Sequence, residues 1–239
     1  MRADWWESIG DGKVKCGLCP HNCTIAPGAC GICLARRNED GVLVATQYGR
    51  VASVALDPIE KKPLYHFHPG SQILSIGGYG CNLRCSFCQN YHLSTALGPT
   101  RKAEPTLLVS EACAHGSVGI AYTYNEPIIN LEYIRDCATL ARRAGLANVL
   151  VTNGFVMPGP LDDVLPLIDA ANVDLKAWSD DFYRDLCGAR LLPVLDALKV
   201  MAGRIHVEVT TLVIPTQNDD SNRSEEHTSE LQSRQSNSY

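Results

Sequence analysis

From residue 73 onward, near-continuous apolar runs alternate with stretches whose apolar residues recur at helical spacing. The runs at residues 73–76, 119–124, 148–152, 172–176 and 205–214 are rich in Val, Ile, Leu and Ala. Such runs predict strands buried on both faces of a parallel sheet. Between them, Leu131, Ile134, Ala138 and Ala141 fall at helical spacing, and Gly145 supplies a C-terminal stop. A second helix is expected to begin at Ser179 or Asp180, either of which can cap it. Leu195, Leu198 and Met201 mark a third apolar face before Gly203. Strand–helix repetition of this kind builds a (β/α) barrel or an open doubly wound sheet. The expectation is an α/β fold containing a partial (β/α) barrel. Before residue 73, segments 41–46 and 49–56 read as short strands, and 57–70, rich in prolines and charges, as a loop over the barrel mouth. The charges of that loop are either solvated or turned toward a substrate.

Composition mainly removes function classes. The 239 residues are 45% hydrophobic with a formal charge of −5, the profile of a globular chain with no electrostatic pull toward nucleic acid. No apolar run approaches the ~18 residues of a membrane span, and the first residues do not read as a signal peptide. Eleven cysteines without a secretion signal point to metal binding in a reducing compartment, hence a cytoplasmic protein.

The cysteines carry the chemistry. Cys81, Cys85 and Cys88, spaced C-x3-C-x2-C, follow the first core strand directly, where a barrel places its active site. Three thiolates from one loop can hold three irons of a 4Fe–4S cubane and leave the fourth iron free for another ligand. Zinc is the alternative, but a structural zinc is closed by four ligands, and only His92 lies near enough in sequence to be a fourth. Nearer the start, Cys16, Cys19, Cys23, Cys30 and Cys33 flank a Pro/Gly-rich turn. They predict a second metal, zinc or iron–sulfur, with Cys30 or Cys33 spare and His21 a less favoured ligand. Cys113, Cys137 and Cys187 read as small packed residues.

Polar residues at later strand ends complete the candidate site: 122–126, 152–154, Asp174 with Lys176, and Glu208 with Thr210. Residues two apart on a strand share a face, so each of these pairs can point inward. Charges there need a partner or a ligand. For a zwitterionic amino-acid moiety, Glu126 or Asp174 can hold the ammonium and Lys176 the carboxylate; an internal Asp174–Lys176 ion pair is the simpler possibility.

The loop Cys81-x3-Cys85-x-Phe87-Cys88 resembles the signature of the radical S-adenosylmethionine (radical SAM) superfamily, with Phe87 as its aromatic position. The resemblance is closer to the AmmeMemoRadiSam-system enzymes, relatives of the pyruvate formate-lyase activating enzymes. It is carried by Cys16-x2-Cys19-Pro-His-x-Cys23, residues 57–70, Gly80 through Asn90, and Tyr122 through Pro127. Residues 151–154, 172–176, 208–215 and Asn218-Asp219 extend it. It implies a radical SAM barrel with about five of six strands, a 4Fe–4S cluster on Cys81, Cys85 and Cys88, and S-adenosylmethionine chelating the free iron. Cleavage would then release a 5′-deoxyadenosyl radical that takes hydrogen from a substrate. Phe87 would lie beside the adenine; Glu126 would match the amine-binding glutamate, and Asp174 with Lys176 the strand-four contact. Asn153 and Glu208 join them as candidate cofactor contacts. Cys33 would complete the N-terminal metal set with Cys16, Cys19 and Cys23, leaving Cys30 as the extra cysteine. Implied partners are an electron donor such as flavodoxin or ferredoxin and a protein or peptide substrate, with a glycyl-radical activase as the nearest variant. A zinc-binding interaction module is the competing reading from another class. The expected organisation is a Cys-rich segment 1–72, a truncated core 73–220, and an adapter-like, non-native, disordered tail 221–239.

Overall fold

The computed structural model describes residues 1–219; the expectation for 221–239 lies outside the described residues. The N-terminal part is built from small antiparallel pairings. Strands β1 (Trp6–Ser8), β2 (Val14–Cys16) and β3 (Thr24–Ile25) form one sheet, and β4 (Arg36–Glu39) with β5 (Val42–Ala45) forms a hairpin. β6 (Arg50–Val51) pairs with the later β9 (Arg101–Lys102). The main sheet also contains β7 (Ser53–Pro58), β8 (Gln72–Gly77), β10 (Gly119–Tyr122), β11 (Ala147–Thr152), β12 (Ala170–Asp174) and β13 (His206–Thr210). Its order is β13-β12-β11-β10-β8-β7. The five strands from β8 to β13 are parallel and correspond to the five apolar runs. β7 adds an antiparallel edge, which local patterning had not distinguished from the short N-terminal strands.

Helices α2 (Pro105–Ala114), α3 (Leu131–Arg143), α4 (Pro158–Val164) and α6 (Leu191–Ala202) cover one face of the sheet; α1 (Tyr91–Ser94) and α5 (Asp180–Phe182) are single turns. In α3 the stripe Leu131, Ile134, Cys137, Ala138 and Ala141 is fully buried against Leu74, Ile120, Tyr122 and Leu150. Gly145 follows at φ +76, the left-handed stop its position predicts. The Ser179 side chain accepts the Phe182 N–H and caps α5. The chain then makes one π-helical turn, Tyr183–Cys187, closed by Gly188 at φ +65.

The sheet is open, and its other face is layered. Ile73, Ala121, Val149 and Ala170 are covered by Ile59 and Leu64, both fully buried. These two come from the segment expected as a loop over the barrel mouth. It is instead a plug that fills the inner face, because its prolines and charges flank apolar side chains. One step along the same strand faces, Val151, Asn172, Asp174 and Thr210 line a cavity beside the C-terminal strand ends. The plug forms its floor and polar strand ends its wall.

Candidate functional site

The cysteine loop is held by its backbone. Gly80 lies at φ +94, and a Cβ there would stand 2.1 Å from the Cys33 carbonyl oxygen, so the loop and the N-terminal segment touch backbone to backbone. Gly78 N–H donates to Asn125 Oδ1 at 2.9 Å and Gly80 N–H to Leu93 O at 2.7 Å. Arg84 N–H and Ser86 N–H donate to the carbonyls of Cys187 and Leu186 at 2.8 and 2.9 Å. Asn82 Nδ2 reaches Phe155 O at 2.7 Å, and His21 Nε2 donates to Asn82 O at 2.7 Å. His21 is thus engaged with the loop's backbone.

Cys81, Cys85 and Cys88 line one cavity of about 490 Å³ together with Phe87, Glu126, Asn153, Asp174 and Lys176. Its size falls within the roughly 300–1,000 Å³ of small-molecule sites. Among the described residues no three Cys, His, Asp or Glu side chains converge on a single metal ion. A cubane does not require that, since each thiolate binds a different iron. The donor set suits such a cluster: Cys81 Sγ accepts from Leu83 N–H at 3.3 Å and from Asn153 Nδ2 at 3.6 Å. Burial pushes the Cys81 thiol up to about 12, so it becomes a thiolate at neutral pH only when a metal displaces its proton.

The charged residues differ in how free they are. Lys176 Nζ pairs with Asp174 Oδ2 at 2.5 Å; burial works to lower the ammonium's pKa, but Asp174 and nearby thiols outweigh it and hold it above its ordinary value. Lys176 lies beyond the end of β12, not on the strand, yet both groups reach the cavity. Glu126 is buried and fully engaged: Oε1 accepts from Thr152 Oγ1 at 2.7 Å and Ile128 N–H at 3.1 Å, and Oε2 from Asn153 N–H at 2.8 Å. Burial still pushes its carboxyl up to about 7 against those donors. Asn153 Nδ2 also donates to Asn82 Oδ1 at 2.9 Å, tying the strand end to the cysteine loop.

Glu208 does not line the cavity. It shares a face with Thr210, but sits one layer lower and holds the plug: Tyr65 N–H and His66 N–H donate to its carboxylate at 2.8 and 2.9 Å, and His206 Nε2 lies 3.0 Å away. Burial works to raise this carboxyl, but those hydrogen bonds hold it down at about 2, from an ordinary 4.5. A depressed carboxylate contributes stability above its unfolded pKa and loses it as pH falls through the folded one. Fast hydrogen exchange at Tyr65 and His66 is therefore expected to set in as pH drops from about 4.5 toward 2. Glu208→Gln should show it already at neutral pH; unchanged protection in that variant would remove Glu208 as the anchor.

Three features had no local signature. Lys62, one of the charges whose solvation was open, is 2% exposed and pairs with Asp57 Oδ2 at 2.8 Å. The same oxygen accepts from Tyr124 Oη at 2.6 Å, and the Tyr124 ring lies 4.7 Å from Lys62 Nζ. Tyr124 sits at φ +69, a left-handed geometry that costs about 1–3 kcal/mol, and Asn90 Nδ2 holds its carbonyl at 2.9 Å. The third is Cys187, fully buried as a packed residue should be, but packed in the same apolar cluster as Cys85.

At the N-terminus, Cys16 and Cys23 join neighbouring strands, Cys16 N–H donating to Cys23 O at 3.0 Å. Cys16, Cys19 and Cys33 are buried, Cys30 is exposed. Burial pushes the Cys19 thiol up to about 12, with the charges of Cys33, Cys16 and Cys23 acting in the same direction.

A family model described as the radical SAM superfamily matches residues 75–224. An uncharacterized protein of Methanocaldococcus jannaschii is 43% identical over 222 residues, covering 91% of this chain and 66% of that protein. The pyruvate formate-lyase 1-activating enzyme of Escherichia coli is 27% identical over 150 residues, covering 59% of this chain and 61% of the enzyme. The chain thus spans just under two thirds of the length of these relatives. Among solved structures, TYW1 with a lysine-pyruvate adduct bound overlays with a TM-score of 0.49 at 18% identity, over 70% of this chain and 67% of that one. With the match running from β8 through the cysteine loop and every later strand, the chain belongs to the radical SAM superfamily.

Proposed function

We propose that the chain carries a 4Fe–4S cluster on Cys81, Cys85 and Cys88, binds S-adenosylmethionine in the adjoining cavity, and directs hydrogen abstraction at a protein or peptide. The observation that carries this reading is the meeting of those three thiols with Phe87, Asn153, Asp174 and Lys176 around one cavity. When bound, the cluster supplies the electron for S-adenosylmethionine cleavage. The chain's own residues bind and orient. Lys176, held at 2.5 Å by Asp174, presents an ammonium to a carboxylate, and Asp174 keeps an oxygen for an amine. Phe87, 5.6 Å from the Phe182 ring, offers an aromatic face to an adenine. Glu126 acts by positioning Thr152 and Asn153, since its oxygens already accept from three donors. Lys61, Lys62 and Pro63 of the plug line the cavity, backed by the buried apolar layer of Ile59 and Leu64.

Likeness to an activating enzyme supports a protein substrate and a glycyl-radical activase as the nearest variant. It is the ground, too, for proposing a flavodoxin or ferredoxin as electron donor. Among the described residues no helix is long and apolar enough to cross a membrane, and the many free thiols suit a reducing, cytoplasmic setting. We further propose that Cys16, Cys19, Cys23 and Cys33 hold a second metal, zinc or iron–sulfur; their close spacing in the sequence supports this, as does the burial of Cys16, Cys19 and Cys33 beside an exposed Cys30.

Anaerobic reconstitution tests all of this at once. A brown protein that bleaches with dithionite, contains iron and sulfide, and makes 5′-deoxyadenosine from S-adenosylmethionine is expected. A colourless protein filled with zinc would instead support the interaction module.

A further inference from the structure

The plug brings more positive charge to the cavity than the chain cancels. Lys61 and Lys62 both line it, and one carboxylate, Asp57, serves both: Oδ1 lies 3.2 Å from Lys61 Nζ and Oδ2 2.8 Å from Lys62 Nζ. Tyr124 Oη donates to that Oδ2 as well, at 2.6 Å, so Asp57 already accepts from three donors. The Lys61 side chain is 67% exposed and shares its charge with water, whereas that of Lys62 is buried. An ammonium carries three N–H donors. Lys62 spends one on Asp57 and lies 4.7 Å from the Tyr124 ring; among the described residues its ammonium has no other hydrogen-bond partner. A buried cation so thinly partnered is costly unless a ligand completes it. Burial outweighs Asp57 here and holds the ammonium below its ordinary value, as under-compensated charge should.

The other carboxylates near the cavity are engaged. Asp174 pairs with Lys176, Glu126 accepts from three donors, and Glu208 holds the plug from below. Tyr124 meanwhile ties the lysine to the cysteine loop. Its carbonyl accepts from Asn90 Nδ2, two residues beyond Cys88, and its hydroxyl reaches Asp57, so Lys62 stands one tyrosine side chain from that loop. The left-handed backbone of Tyr124, at φ +69, is the kind of strain that persists at functional sites.

We propose that Lys62, with Lys61 at the rim, receives a carboxylate of the peptide substrate, so that the protein acts on acidic peptides. The inference rests on the proposed peptide substrate and narrows its class. Lys62 only binds: no covalent bond changes at it, and its proton stays on its nitrogen. The carboxylate comes from an Asp or Glu side chain or from a peptide C-terminus, and the test separates the two.

The test is affinity selection on the reconstituted holoprotein with saturating S-adenosylmethionine, read by mass spectrometry. The probes are three sets of N-acetylated hexapeptides that differ only as follows: one Glu with an amidated end, Gln with an amidated end, and Gln with a free C-terminus. Retention of the Glu set or of the free-acid set about tenfold above the Gln amides is expected, the scale of one charge-assisted hydrogen bond. Whichever set is retained names the source of the carboxylate. Equal retention of all three overturns the proposal. Lys62→Met should bring retention down to the level of the Gln amides; a preference that survives in that variant overturns it. So does a preference seen only without S-adenosylmethionine, because Lys62 would then belong to the cofactor's own carboxylate. Should Lys62→Met not fold, Lys61→Met decides: a drop of about threefold, the scale of an exposed ion pair, supports the plug site, and an unchanged preference overturns it. If the wild-type protein assembles no cluster, the functional reading fails, while selection on the protein as purified still scores the lysine.

Discussion

Replacing Cys81, Cys85 or Cys88 singly by alanine is expected to leave no 5′-deoxyadenosine above the protein-free background. Each thiolate would hold a different iron, so the three are not redundant. The loop offers no substitute. Cys187 is fully buried in the apolar cluster that packs against Cys85, and Cys19 is buried in the N-terminal segment. Metal binding must also deprotonate thiols that burial keeps neutral, Cys81 at about 12, so a loop with two thiols has lost affinity as well as a ligand. Cys30→Ala and Cys113→Ala, at exposed positions, should retain cleavage. Product from any one of the three loop variants, measured by mass spectrometry after anaerobic turnover, would sink the cluster assignment.

The second large effect is on stability. Arg36 and Glu132 are both 0% exposed, and Arg36 Nη2 donates to both carboxylate oxygens at 2.8 and 2.9 Å. Around them Asp4 N–H donates to Glu132 at 2.7 Å, while Arg36 donates to Asp4 O and Ile129 O. This knot joins hairpin strand β4 to the start of α3. Removing one partner leaves a buried charge bare, so Arg36→Met or Glu132→Gln should cost about 3–5 kcal/mol. That is a large share of the ~5–15 kcal/mol by which domains are stable. Replacing both, as Arg36→Met with Glu132→Leu, should recover much of the loss, because no charge is then stranded. Urea unfolding at fixed pH gives the three values. If the double variant is as unstable as the two single losses added together, the pair is not coupled and its burial has another cause. The effect should also reach the cluster loop: Cys33, three residues before Arg36, presses its carbonyl against Gly80.

Much of the α/β core could be read from local order. A parallel strand buried on both faces has to be apolar along its length, so the five runs announced β8, β10, β11, β12 and β13. The α3 stripe and the Gly145 stop were legible for the same reason, since a helix displays its burial at a fixed period. Helix α2, which carries Pro105 at its first turn and a weaker apolar stripe, escaped notice. The edge strand β7 resembled any short N-terminal strand until its partner β8 was known.

The site divides along the same line. Ligand chemistry was written in spacing: three thiols within eight residues stay together whatever the chain does elsewhere, and the family signature followed from them. Long-range partnerships were not. Lys62 and Asp57 with Tyr124, Glu208 with Tyr65 and His66, and Glu126 with Asn153 each join separate segments of the chain. A side chain's hydrogen-bond partner depends on which segments the sheet order brings side by side, and that order is a property of the packed whole. Local sequence therefore specified strands, helix faces and thiol chemistry. Only folding decided that the charged loop would become a plug, that Glu208 would anchor it, and that Cys187 would join the apolar cluster packed against Cys85.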